Sequence, residues 1–379
     1  MRTSTVIGTV AGLVAAAAVV AVAVPVVRHS DALTTTIRTA TDTPTAAEIG
    51  PLPATVRQLW TAPTGTATAP VEGPTVVATG PDRVSGLDPA TGAERWSYER
   101  GNARLCDADR RDGVVLALFA KADGCRDLVA LDAATGARRW YRTLELRTDA
   151  TLTSGPGVAV ATGGDQMIAF DPGGGLNRWT YTAAGCTLDP AVAGQLAVVT
   201  VARCAAGERR LVVHLPFADK EPWVGSLAPG SDPHVLTADQ RVTVLSGRTL
   251  TAYGVSQDNE QKATAAPAGD TLDDRLAVTG TPAAVADGGF LVVWTGTRAV
   301  GVDTRTRKVL WSAAATGPPA LAEGQVVLAG PDGFTVRPAS TGTPVTTVRA
   351  GTPVPAAAGL SRIGRLVVVA GAGRLVAYG

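Results

Sequence analysis

Trp96, Trp140, Trp179, Trp223 and Trp311 follow one another at intervals of 44, 39, 44 and 88 residues, the last being two steps of 44. A period of about 40 in a strand-forming sequence admits few folds, chiefly an array of small β-sheets such as a propeller with one blade per period. The sequence around each tryptophan repeats as well. Gly86-Leu-Asp-Pro-Ala-Thr-Gly-Ala-Glu-Arg-Trp96, Ala130-Leu-Asp-Ala-Ala-Thr-Gly-Ala-Arg-Arg-Trp140, Ala169-Phe-Asp-Pro-Gly-Gly-Gly-Leu-Asn-Arg-Trp179 and Gly301-Val-Asp-Thr-Arg-Thr-Arg-Lys-Val-Leu-Trp311 all place Asp eight residues before Trp.

Each part of this unit has a mechanical reading. Asp88, Asp132, Asp171 and Asp303 end a strand, where a short carboxylate accepts hydrogen bonds from the next amides and starts a turn. Gly92 and Gly136 supply the positive φ that completes a hairpin. The tryptophans, Trp60 and Trp223 included, end outer strands and are expected to dock onto the neighbouring blade. One indole buries about 150 to 250 Å2, worth up to roughly 4 to 6 kcal/mol by area. Recurrence at one structural position favours this packing role over stacking on a ligand.

Short apolar strand pairs precede each hairpin, as in Gly324-Gln-Val-Val-Leu-Ala-Gly330 and Arg365-Leu-Val-Val-Val-Ala-Gly371. Counting them predicts an all-β, eight-bladed propeller of four-stranded antiparallel blades. The blades end near Trp96, Trp140, Trp179, Trp223, Ala263, Trp311, Val348 and Gly379. The final copy has three strands, and the missing fourth, with its tryptophan, stands in Val56-Arg-Gln-Leu-Trp60. Pairing this N-terminal strand into the last blade closes the ring and removes the exposed edges of an open array. Blade 5 is degenerate, since neither the Asp turn nor the Trp is seen between Gln257 and Thr264; as a long insertion it would leave seven blades.

Between Arg2 and Arg28 no residue is charged, and residues 5–27 would span roughly 34 Å as a helix, enough to cross a bilayer. The segment continues past the small-residue site Ala21-Val22-Ala23, which favours a retained single-pass anchor over a cleaved signal sequence. Residues 29–55, rich in Thr, Ala and Pro, read as an extended tether, and residues 56–379 as the propeller domain. Cys106 and Cys125 are 19 apart and Cys186 and Cys204 are 18 apart, and each pair falls within one blade. Two such pairs read as disulfides of an oxidising, extracytoplasmic compartment. The alternatives are four buried free thiols or a zinc site, the latter without the short C-x2-4-C pair that zinc sites use.

The phrase Ala130-Leu-Asp-Ala-Ala-Thr-Gly-x-x-x-Trp140 resembles the quinoprotein-type propeller repeat, and the resemblance covers roughly residues 56–379. It implies the fold and leaves activity open. That family holds quinone-dependent dehydrogenases and also non-enzymatic members similar to the barrel-assembly lipoprotein propellers of outer membranes. The dehydrogenases carry adjacent cysteines and an Asn calcium ligand. Here no Cys-Cys dipeptide occurs, and Asn102, Asn177 and Asn259 lie outside any matching motif. No catalytic, cofactor or metal residue is therefore assigned.

Other chemistry is sparse. His29, His214 and His234 lack a nucleophile partner in sequence, and His214 reads as a strand residue. The stretch from Asp107 to Gly113 puts Arg111 where a calcium loop needs oxygen, so it reads as a solvated loop. Asp270, Asp273 and Asp274 form a small acidic cluster between blades, a weak metal candidate. With 34 Lys plus Arg against 33 Asp plus Glu and no basic run, a nucleic-acid partner is excluded. The expected function is a membrane-anchored, extracytoplasmic propeller acting as a non-catalytic scaffold for an envelope protein partner. The alternatives are a quinone-binding oxidoreductase and an envelope sensor of a small ligand or glycan.

Overall fold

A computed structural model describes residues 31–42, 50–65, 71–121, 124–146, 150–230, 232–258, 262–322 and 324–379. The expected membrane segment, residues 1–28, lies outside these. Among the described residues no helix is long and apolar enough to cross a membrane.

The strands pair into eight sheets whose consecutive strands run antiparallel and in chain order from the first strand outward, with N-terminal strands added at the outer edges of three of them. Blade 2 is representative: Arg104–Arg111, Val114–Lys121, Gly124–Asp132 and Arg138–Thr143. The first strands of successive blades lie beside one another around the axis. Second and third strands are covered on both faces by neighbouring blades. They therefore read as continuous apolar runs: Val115, Ala117, Leu118 and Phe119 are fully buried, and so is Val158–Gly163 throughout. The core is accordingly divided into wedges, and each of the eight buried clusters joins one consecutive pair of blades, including the last to the first.

The ring closes through Gln58–Pro63, which pairs antiparallel with Arg374–Tyr378 and completes blade 8. Arg57 and Gly379 exchange two backbone hydrogen bonds of 3.1 Å at that seam. Just before it, Thr55–Val56 runs parallel to the outer strand of blade 7, so the closing segment spans two blades.

Three sequence expectations need correction. The degenerate blade is complete: Pro233–Ala238, Val242–Ser246, Thr249–Gln257 and Ala263–Leu272 make four strands, so Ala263 begins the outer strand instead of ending the blade. Its hairpin is also led by an aspartate, because Asp258 Oδ1 accepts from Lys262 N at 2.9 Å. The stretch from Asp107 onward is the axial strand Arg104–Arg111 of blade 2, not a loop, because the type I′ turn sits at Asp112 and Gly113. Part of the tether is docked as well. Thr35–Arg38 pairs with Glu94–Arg100 and gives blade 1 a fifth strand, for the outer edge of that blade offered unpaired backbone groups.

Candidate interaction face

Antiparallel order sends the first-to-second and third-to-fourth turns of every blade to one face of the ring, here called the turn face. The Asp-led hairpins belong to it. Asp88 Oδ1 accepts from Ala90 N, Thr91 N and Thr91 Oγ1 at 3.0, 2.9 and 2.9 Å, and Asp132 repeats the pattern with Ala134 and Thr135 at 3.1, 2.9 and 2.9 Å. Asp303 accepts from Arg305 N and Thr306 N, and Asp171 from Gly174 N. The Thr306 amide, against the cost of burial, holds the Asp303 carboxyl below the usual range. At Asp132 burial opposes ionisation, but bonds from Arg139 and Thr135 outweigh it and hold this carboxyl low too.

The tryptophans join each blade to the turn of the next. Trp60 Nε1 donates to Pro89 O at 2.9 Å, Trp96 to Ala133 O at 2.9 Å, Trp140 to Pro172 O at 2.9 Å, Trp179 to Pro216 O at 3.3 Å and Trp311 to Ala339 O at 2.7 Å. The turn glycines therefore serve twice. Gly92 and Gly136 both have φ of 72°, and a Cβ at either would lie 2.7 or 2.6 Å from the indole of Trp60 or Trp96. Sequence reasoning found the first role and missed the second, which exists only between blades.

The Asp303 turn carries a side chain at that position. Arg307 has φ of 60° where Gly92, Gly136, Gly175 and Gly342 stand in four other turns, and the preceding blade 5 offers no tryptophan to be accommodated. Thr271 Oγ1 donates instead to Arg307 O at 3.1 Å. Trp223 of blade 4 also departs from the pattern: it is half-buried and meets Tyr253 at 6.1 Å with the rings tilted by 55°, and among the described residues its indole caps no turn carbonyl.

Both cysteine pairs are bridged. Cys106–Cys125 ties the first and third strands of blade 2, and Cys186–Cys204 ties paired positions in the first and second strands of blade 4. Both lie toward the face opposite the turns. His214 is buried and stacked on Trp179 at 3.7 Å between centroids, and burial pushes its pKa down. The acidic cluster is consumed locally: Asp270 accepts from Thr251 Oγ1, Asp273 caps a short turn and pairs with Arg275, and Asp274 pairs with Arg248.

Several contributors carried no sequence signal. Asp107 reaches across a junction to accept from Leu152 N at 2.7 Å, and its burial raises the carboxyl pKa. Arg100 and Asp127 form a buried ion pair at 2.5 Å that Tyr141 Oη joins at 2.7 Å.

Two hollows open on the turn face. An axial cavity of about 500 Å3 is rimmed by Arg111, Gln195, Asp239, Arg241, Asp287 and Phe290 from the inner turns of blades 2, 4, 5 and 6. A groove of about 760 Å3 lies between blades 4 and 5, along Leu196, Pro216, Phe217, Lys220, Val255 and Gln257. It occurs at the junction where the tryptophan caps no turn. Phe217 on its wall is 58% exposed, and the Arg178 guanidinium lies 4.9 Å from its ring centre.

A family model described as outer membrane protein assembly factor BamB matches residues 52–156 and 124–253. No curated protein sequence matches the chain. Among solved structures, BamB from Moraxella catarrhalis is similar with a TM-score of 0.56 at 18% identity, over 85% of this chain and 99% of its own. The computationally designed Ika8 protein is similar with a TM-score of 0.60 at 15% identity, over 85% and 98%. At such identities the two structures speak to the fold alone.

Proposed function

The chain belongs to the family of the outer membrane protein assembly factor BamB, by a match running from residue 52 to residue 253, and on that premise we propose that it is a non-catalytic scaffold of the cell envelope that binds a protein partner through its turn face. The apolar segment of residues 5–27 is its proposed attachment to the membrane, with the propeller on the extracytoplasmic side. The observation that carries the reading is the sector formed by blades 4 and 5. There the regular docking of tryptophan on turn gives way to an open groove walled by an exposed aromatic ring. Aromatic side chains presented at a concave surface are the residues on which protein interfaces concentrate their binding energy. The blade turns themselves are absorbed in holding the ring together, which leaves the irregular sector as the part whose sequence packing does not dictate.

The test is photo-crosslinking in living cells from position 217, with position 374 on the opposite face as control. Recovery of one envelope protein from position 217 alone is expected. Equal recovery from both positions, or recovery of cell-wall glycan only, would count against a protein partner. Reconstitution with the quinone and calcium is expected to yield no bound chromophore and no dye-linked oxidation.

A further inference from the structure

The fifth strand of blade 1 fixes where the propeller meets its membrane. Thr35–Arg38 is registered against Glu94–Arg100 from Thr35↔Arg100 to Arg38↔Ser97. Gly101 N donates to Thr34 O at 2.9 Å at one end of this strand. Beyond the other end, Ala40 N donates to Thr135 O at 2.9 Å, and Arg95 holds both the carbonyl and the carboxylate of Asp42, at 2.8 and 3.3 Å. The segment is thus anchored at both ends to blades 1 and 2. The free leash between the apolar stretch and the ring is not the whole of residues 29–55.

Only six steps of chain separate Arg28 from Thr34, and Asp31–Thr34 is a single helical turn. Three extended residues and one such turn reach roughly 15 Å, against roughly 80 Å for the full 27-residue tether in an extended form. A leash that short does not let the ring tumble freely above a bilayer. The point nearest the membrane also carries two exposed apolar side chains, Leu33 at 65% and Ile37 at 42%. Exposed apolar groups are costly in water and stabilising where headgroups meet acyl chains.

We infer that the perimeter of blade 1, around Leu33 and Ile37, is the edge of the propeller apposed to the lipid surface, and that blade 5, four places away in either direction around the ring, is displayed farthest from it. This rests on the membrane attachment proposed above and deepens it: the groove between blades 4 and 5 then opens toward partners standing off the membrane.

The experiment uses the full chain in vesicles of phosphatidylglycerol and phosphatidylethanolamine carrying a headgroup quencher. A fluorophore is placed on Thr36→Cys or on Ala268→Cys, both exposed and both on outer strands, under non-reducing conditions. Quenching at position 36 several-fold stronger than at position 268 is expected. A flexible spacer of about ten Gly and Ser residues between His29 and Ser30, adding roughly 17 Å of reach, is expected to shrink that difference without touching the fold. Equal quenching in the membrane-bound chain, or a difference the spacer leaves unchanged, would overturn the inference alone. Recovery of the chain in the aqueous phase would overturn the attachment itself, and this inference with it.

Discussion

Blades 8, 1, 2 and 3 and blades 4, 5 and 6 are built from the same four-stranded unit but are joined in different ways. In the first sector each indole donates to a turn carbonyl of the next blade, and those of Trp60, Trp96 and Trp140 lie against Gly92, Gly136 and Gly175, turn positions without a side chain. In the second, Trp223 caps no turn among the described residues, the Thr271 hydroxyl donates to Arg307 O at the next junction, and Arg307 stands where other turns put glycine under an indole. The difference teaches that the Trp and Gly of this repeat are one feature shared by two blades. Losing the indole from one blade releases the glycine in the next. It also frees surface, for the groove lies where the coupling lapses.

This contrast predicts unequal costs. Trp96→Ala, at a fully buried position, is expected to destabilise by about 3–5 kcal/mol and Trp223→Ala by less than half as much, read from denaturant midpoints; equal losses would erase the distinction between sectors. Removing either disulfide as a double Cys→Ala variant is expected to cost about 3 kcal/mol, since the closed loops are of similar length at 19 and 18 residues. A markedly larger loss in blade 4 would mean that the irregular sector depends more on its staple.

Gly136→Ala adds a methyl at positive φ and against the Trp96 indole, for an expected loss of about 2 kcal/mol. Arg307→Gly relieves the same backbone strain with no indole opposite, so it is expected to be neutral or to gain up to about 1 kcal/mol. A loss at Arg307 would show that the side chain has taken over the docking role.

His214 gives a pH test at the junction of blades 3 and 4, where it stacks on Trp179. Its pKa is lowered by burial, so the unfolded chain takes up the proton first. Stability is therefore full above the ordinary histidine value near 6.5 and falls as the pH drops through it. His214→Phe, which keeps a ring on Trp179, is expected to flatten the melting temperature between about pH 5 and pH 7. Phe217→Ala, on the groove wall, is expected to move stability by no more than about 0.5 kcal/mol while abolishing crosslinking to the partner.

Much of this was legible in the chain because period, turn chemistry and strand composition are local. The Asp-x-x-x-Gly hairpins follow from residues a few positions apart, and the borrowed strand at Trp60 from the strand missing in the last copy, whereas the blade count stayed between seven and eight. Blade 5 was harder because its turn closes one residue sooner, from Asp258 N to Lys262 O where Asp88 N reaches Ala93 O, and its outer strand carries Pro267, tolerated on an edge that needs no further partner. The fifth strand of blade 1 was not legible at all. Thr35–Arg38 has no apolar period, and its partner, the outer edge of blade 1, lies some sixty residues further along the chain.

The sequence by itself determined the repeating unit and pointed to the way the ring is closed, because those depend on backbone propensities and on apolar runs wide enough to be covered from both sides, while the count stayed between seven and eight until blade 5 was seen complete. Only the tertiary structure decided which indole meets which turn, why Arg307 is tolerated, where the groove opens and how short the leash is. Those are contacts between blades, and their energies come from surfaces that do not exist until neighbouring sheets are side by side.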